Sequence, residues 1–153
     1  MSVAVLAGLS PAFAVLALLY VMTTRMRKPT NIGLHADGDR FVVELHGWDA
    51  FYCCRRRVEV PINEVEGVGV YARERVPAQG LRWPGTSLPG VIRAGSFGFR
   101  SARDFWDVRK GQEVLVVALK PDAEYRRIVL EVPDPRDEML KLRPVLGPLD
   151  WTP

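Results

Sequence analysis

One uncharged run opens this chain, a period-two pattern of apolar and polar positions fills its middle, and a helical period closes it. Val3 to Met22 reads VAVLAGLSPAFAVLALLYVM, twenty residues without a charge. As a helix this run would be about 30 Å long, the thickness of the hydrocarbon core of a bilayer. Pro11 interrupts it, which membrane helices tolerate. Tyr20 falls near its end, where aromatic side chains favour the interface. A cleaved leader would want a positive start and a small-x-small site after the run. The first nine residues carry no charge, and Ala12-Phe13-Ala14 lies mid-run. The expectation is a retained single-pass anchor over residues 1–24 and a basic juxtamembrane linker over residues 25–30.

From Ile32 onward the period changes to two. Ile32–His35 and Arg40–His46 flank Asp37-Gly38, a favoured hairpin turn pair. With those two residues central, Leu34 faces Phe41, Ile32 faces Val43, and Leu45 continues the apolar face. Gly47-Trp48-Asp49 turns the chain into a strand over Phe51–Val60, where Arg55, Arg57 and Glu59 share one side. A strand over Val65–Tyr71 carries Gly67 and Gly69, which admit a second backbone. Residues 73–80 are polar and read as a loop. Leu81–Phe97, punctuated by Pro84, Gly85, Pro89, Gly90 and Gly95, reads as an ordered loop feeding a strand at about Ile92–Arg100. Within it, Pro89-Gly90 suits the centre of a type II turn, with positive φ at Gly90. Further strands are expected at Phe105–Arg109, Val114–Leu119 and Tyr125–Val132.

The helical period begins at Asp134. Asp134 is a good N-cap, Pro135 suits the first position, and Asp137 and Glu138 favour the positive helix end. Met139, Leu140 and Leu142 supply an apolar face, and Pro144 should end the helix near Arg143. Residues 147–153 read as an irregular tail. The fold class is mainly β: about seven or eight short antiparallel strands over residues 31–146, the pattern of a sandwich or a barrel, followed by a C-terminal helix.

Charge sharpens this picture. Of the 21 Lys and Arg, Arg25, Arg27 and Lys28 directly follow the uncharged run, and the remaining 18 balance the 18 Asp and Glu of residues 29–153. A neutral domain has no field for nucleic acid. The basic trio belongs to the membrane interface, and the positive-inside rule puts it, and the domain after it, on the cytoplasmic side. Cys53 and Cys54 are the only cysteines. Adjacent strand residues point to opposite faces, so two free thiols in a reducing compartment are expected.

Candidate chemistry is sparse. His35 and His46 fall in no metal or catalytic pattern, and neither GxxxxGK nor GxGxxG occurs. No cofactor, no metal site and no catalytic residues are expected. Arg55 and Arg57 are candidates for an anionic ligand, with a solvated ladder continued by Glu59 as the alternative. Trp83 and Leu88 in the proline-rich stretch are candidate partner contacts, whereas Trp106 between apolar strands should be core.

Several short motifs occur in a fixed order: Arg55–Ile62 (RRRVEVPI), Leu81-Arg82, Pro84-Gly85-Thr86, Leu88-Pro89-Gly90, Gly95-Ser96-Phe97, Phe105-Trp106, and Arg127–Val132 leading to Asp134-Pro135. Over about residues 40–143 the chain resembles a bacterial pleckstrin-homology-like family, often membrane-anchored. The resemblance implies a small barrel closed at one end by a helix, and no catalysis. Eukaryotic pleckstrin-homology domains that bind phosphoinositides hold basic residues around the first hairpin. The matching turn here, His46-Gly47-Trp48-Asp49-Ala50, has only a histidine. The expected function is a non-enzymatic, membrane-tethered binding domain that presents a surface to a protein partner. The alternative is a lipid-headgroup reader.

Overall fold

The computed structural model describes residues 11–26, 29–78, 80, 82–99 and 103–150, with backbone alone at Met26, Arg82 and Trp83. The elements run α1 (Pro11–Met26), β1 (Ile32–Asp37), β2 (Arg40–Leu45), α2 (Trp48–Cys53), β3 (Arg57–Pro61), β4 (Val65–Ala72), β5 (Arg82–Leu88), β6 (Ile92–Phe97), β7 (Asp104–Val108), β8 (Glu113–Leu119), β9 (Arg127–Leu130) and α3 (Pro135–Leu146).

The protein is mainly β with a C-terminal helix, but the expected closed antiparallel barrel is absent. Among the described residues, a sheet of β1-β2-β3 packs against a six-stranded sheet ordered β4-β8-β9-β7-β6-β5. The larger sheet does not close on itself: β5 and β4 are its outer strands. Instead of pairing with another strand, β4 is met by the chain after α3. Val68 N donates to Gly147 O at 3.0 Å, and Leu149 N donates to Val68 O at 3.2 Å. Gly67 makes room for this, since a Cβ there would stand 2.5 Å from Pro148 O. β9 sits between β7 and β8, parallel to the first and antiparallel to the second. All its residues are buried. A strand paired on both edges and covered on both faces has no polar side, which explains the unbroken Ile128-Val129-Leu130.

The core has two parts because the six-stranded sheet is covered on both faces. Phe105, Leu115, Val117, Ile128 and Leu130 face Phe41, Val43, Val58 and Val60 of the small sheet, with Tyr52, Leu142 and Leu146 filling the same interior. On the opposite face Trp106, Val108, Val114, Val116 and Val129 pack with Val76 and Phe97. Trp106 is thus core, as its flanking strands predict.

The first hairpin forms one residue later than expected. Asp37 pairs with Arg40, so Gly38 and Asp39 are central, and Leu34 faces Val43 while Ile32 faces Leu45. Gly38 has φ 60° and Asp39 is not in the positive region, the pattern of a type II′ turn. Moving the turn by one residue shifts every partner by two, so the apolar face is preserved.

The expected strand over Phe51–Val60 is half helix. Trp48–Cys53 forms α2, which stops at Cys54 in the left-handed conformation with φ 55°. Only Arg57–Pro61 joins the sheet. Both thiols are free, Cys53 buried and Cys54 exposed. At the other end of the chain, α3 starts on Asp134, whose Oδ1 accepts from Asp137 N at 3.0 Å. It runs past Pro144 to Leu146. Pro144 removes only the bond to the Leu140 carbonyl, one turn from the helix end. The buried face is Met139, Leu142 and Leu146, and Leu140 points out.

The stretch from Arg82 to Leu88 is a strand rather than a loop, paired with β6 through a bulge between Arg82 and Gly85. Its turn is the expected one: Gly90 has φ 73°, and Val91 N donates to Leu88 O at 3.0 Å. Sequence alone suggests that valine costs more at Gly90 than at Gly80. The structure reverses the order. A Cβ at Gly90 meets nothing within 4 Å, whereas at Gly80, with φ 89°, it would stand 2.6 Å from Gly98 Cα. Gly90→Val should cost about 1–3 kcal/mol from backbone strain alone. Gly80→Val adds a backbone clash and should cost more, as read by urea unfolding; equal costs would mean that the Gly80–Gly98 approach is loose.

The expected membrane span is not reproduced as a span. α1 has 16 residues, about 24 Å at 1.5 Å each. No helix among the described residues is long and apolar enough to cross a membrane. Residues 3–10 of the expected anchor lie outside the described residues.

Candidate functional site

The site with the most features in one place is the junction where α1 meets the β-rich body. α1 leaves its apolar run at Arg25, and two hydrogen bonds tie its last turn down. Tyr52 Oη of α2 donates to Met22 O at 3.2 Å, and Arg109 Nη1, just past β7, donates to Arg25 O at 3.1 Å. Both donors are themselves buried.

Arg109 is held by a buried node. Its guanidinium pairs with Asp49 Oδ1, and both side chains are almost wholly out of solvent. Asp49 Oδ2 accepts from Asn31 N at 2.5 Å. Glu131 Oε2 accepts from Arg109 N at 2.7 Å and Gly111 N at 2.8 Å, and the Glu131 carbonyl accepts from Thr30 Oγ1. Burial pulls the Arg109 guanidinium below its ordinary pKa, and the nearby Glu131 charge opposes that pull. The node joins α1, the entry to β1, α2 and the ends of β7 and β9, so the exit direction of α1 is set by charged hydrogen bonds.

Around the node α2 presents an aromatic ridge. Trp48 and Tyr52 rings stack at 5.8 Å, and Phe51 meets Trp48 edge-on at 5.7 Å. Tyr52 is buried, but Phe51 is 61% exposed. On one side of the ridge lies a cleft of about 430 Å³ lined by Leu18, Met22, Gly47, Trp48 and Phe51. On its other side lies an open groove of about 650 Å³ lined by Glu44, Leu45, His46, Gly47, Ala50, Phe51, Arg56 and Arg57.

The two candidate anion-binding arginines do not converge. Arg57 opens β3 and lies 3.8 Å from Glu44 and 2.5 Å from Glu59, the solvated ladder foreseen from the alternation. Arg55 is off the sheet, shares no face with Arg57, and donates to Glu124 at 3.4 Å. Helix α2 separates them from the expected strand register. Leu88 is exposed at the tip of the β5–β6 hairpin. Trp83 is on β5, and its side chain lies outside the described residues. Arg25 is exposed at the end of α1; Arg27 and Lys28 lie outside the described residues.

Sequence reading missed Phe51, Asp49 and Arg109. Trp48, Phe51 and Tyr52 stand at i, i+3 and i+4, a helical spacing that was available as a signal. Nothing in the sequence pairs Asp49 with Arg109. Among the described residues no group of three His, Cys, Asp or Glu side chains could hold a metal. No family model, no curated protein and no solved structure matches the chain.

Proposed function

We propose that this chain is a membrane-tethered, non-enzymatic binding domain, held at the inner face of the membrane and presenting its β-rich body to a protein partner. One observation carries the tether: α1 shows Phe13, Val15, Leu16, Leu18, Leu19 and Tyr20 each more than half exposed, with no charged residue before Arg25. A helix in water hides one apolar stripe and shows a polar face; this one is apolar all round. The reading joins α1 to the uncharged residues 3–10 as one anchor. The non-enzymatic part rests on the sequence, in which no nucleophile, base and orienter form a pattern. The pleckstrin-homology-like resemblance is supported by the order of many short strands followed by one packed C-terminal helix; two sheets stand in place of its closed barrel. Recognition of a lipid headgroup by Arg55 and Arg57 is disfavoured, because both are already engaged by carboxylates.

A reporter fused after Pro153 should be active in the cytoplasm, and the protein should stay with carbonate-washed membranes. Leu16→Arg with Leu19→Arg places two charges in the apolar run, at about 2.5–3.5 kcal/mol apiece near a helix centre. That variant should wash off. A wild-type chain that washes off, or a reporter active only outside, would sink the reading. The partner is sought by photo-crosslinking from Leu88 in intact membranes.

A further inference from the structure

We propose that α2 is a foot that seats the body on the bilayer, with Trp48 and Phe51 entering the boundary between acyl chains and headgroups. The inference rests on the tether reading. It follows from level. Tyr52 of α2 is bonded to the Met22 carbonyl, and Trp48 and Phe51 share a cleft with Leu18 and Met22. Leu18 and Met22 precede the first charged residue, Arg25, by seven and three positions, which is about 10 and 5 Å along the helix. Apolar faces of interfacial helices settle about 5–10 Å into that boundary. If α1 is in the membrane, side chains at the level of Leu18 and Met22 are at the same depth.

The chemistry of the ridge suits that depth. Every side chain lining the cleft is apolar or aromatic, and Trp is enriched where one edge of a ring is wet and the other is not. Phe51 is one of the most exposed aromatic side chains of the body. The groove beyond it changes character. There Glu44 meets Arg57 at 3.8 Å and His46 at 3.9 Å, while Arg56 is exposed and makes no ion pair among the described residues. An unmatched cation a few residues beyond an aromatic wedge is placed for a lipid phosphate. The occupant that fits both halves is a lipid surface, apolar against the cleft and anionic against the groove.

The test uses the full chain in vesicles of phosphatidylcholine with phosphatidylglycerol. In a Cys54→Ser background, with Cys53 left in the core, a nitroxide is attached to Phe51→Cys, to Leu16→Cys on α1, or to Leu140→Cys on the outer face of α3. Relaxation by oxygen reports the bilayer, and relaxation by a water-soluble nickel chelate reports water. The foot predicts that positions 16 and 51 favour oxygen while 140 favours nickel. If 16 favours oxygen and 51 behaves like 140, the foot is wrong and the tether stands. If 51 is shielded from both reagents, protein covers it, and the lipid occupant is wrong. If 16 favours nickel, the tether falls and the foot with it. A second measurement needs no label. Brominated lipid should quench wild-type tryptophan emission, and Trp48→Phe should remove that quenching; unchanged quenching in the variant overturns the placement of Trp48.

Discussion

Asp49→Ala should lower the free energy of unfolding by about 3–5 kcal/mol, the usual cost of stranding one member of a buried ion pair. The side chains of Asp49 and Arg109 are 2% and 4% exposed, so neither charge can turn to water when its partner is removed. Alanine at 49 also strands Asn31 N, whose acceptor is Asp49 Oδ2. Arg109→Ala should cost a similar amount and would additionally free the Arg25 carbonyl at the end of α1. The double variant Asp49→Leu with Arg109→Met separates a charge effect from a packing effect. It removes both charges and keeps volume, and buried pairs replaced this way are often neutral or better. Urea unfolding of the full chain in mild detergent reads all three. Single variants costing under about 1 kcal/mol would put the pair in the class of solvated surface bridges. The double variant should still loosen α1, because methionine cannot donate to the Arg25 carbonyl; faster proteolysis between residues 25 and 31 would register that.

Asp107→Asn should remove most of a fall in stability between pH 4 and pH 8. Asp107 is fully buried on β7, and among the described residues no nitrogen or oxygen donor reaches either carboxylate oxygen. Burial, with the Glu131 charge adding to it and the Cys53 thiol opposing it, pushes its pKa up to about 7. The unfolded chain releases that proton near 4. Between these values the folded state binds more protons than the unfolded state, so stability falls as pH rises. The penalty is small near pH 4, grows with pH and levels off at about one unit above the folded pKa. A shift of about three units corresponds to on the order of 4 kcal/mol. Asparagine resembles the protonated acid in shape, so variant and wild type should be near parity at pH 4. The variant should then gain steadily up to pH 8, less whatever its unpaired amide costs. Parallel stability curves from pH 4 to pH 8 would mean that water or a rearranged donor already meets Asp107. Cys53 is carried along: burial, with Asp107 beside it, raises its thiol pKa, so it stays protonated throughout this range.

Local chemistry is what the sequence by itself determined. The Pro89-Gly90 turn needs only a fixed φ and a residue free of Cβ, and both are written in adjacent letters. The start of α3 needs only Asp134 to reach Asp137 N, three residues away. The apolar face of the first hairpin survived an error in its turn, because alternation depends on parity and not on the exact partner. The basic residues at the end of the uncharged run are equally local.

What only the tertiary structure decided involves partners far apart in the chain. Trp48-Asp49-Ala50-Phe51-Tyr52-Cys53 is rich in residues that favour strands, yet it is helical, because that lets Tyr52 and Cys53 enter the core while Asp49 meets Arg109 sixty residues on. β9 reads as one more strand of a meander, and its apolar run is silent about which neighbours it takes. Insertion between β7 and β8 satisfies both of its edges, in a sheet whose outer strands β4 and β5 do not pair with each other. Arg82–Leu88 carries loop-like letters, and the Gly85–Gly95 pairing across the hairpin turns them into a strand. In each case the deciding energy is the burial of a surface or the satisfaction of a polar group by residues that no local window contains, so it exists only once the chain has closed on itself.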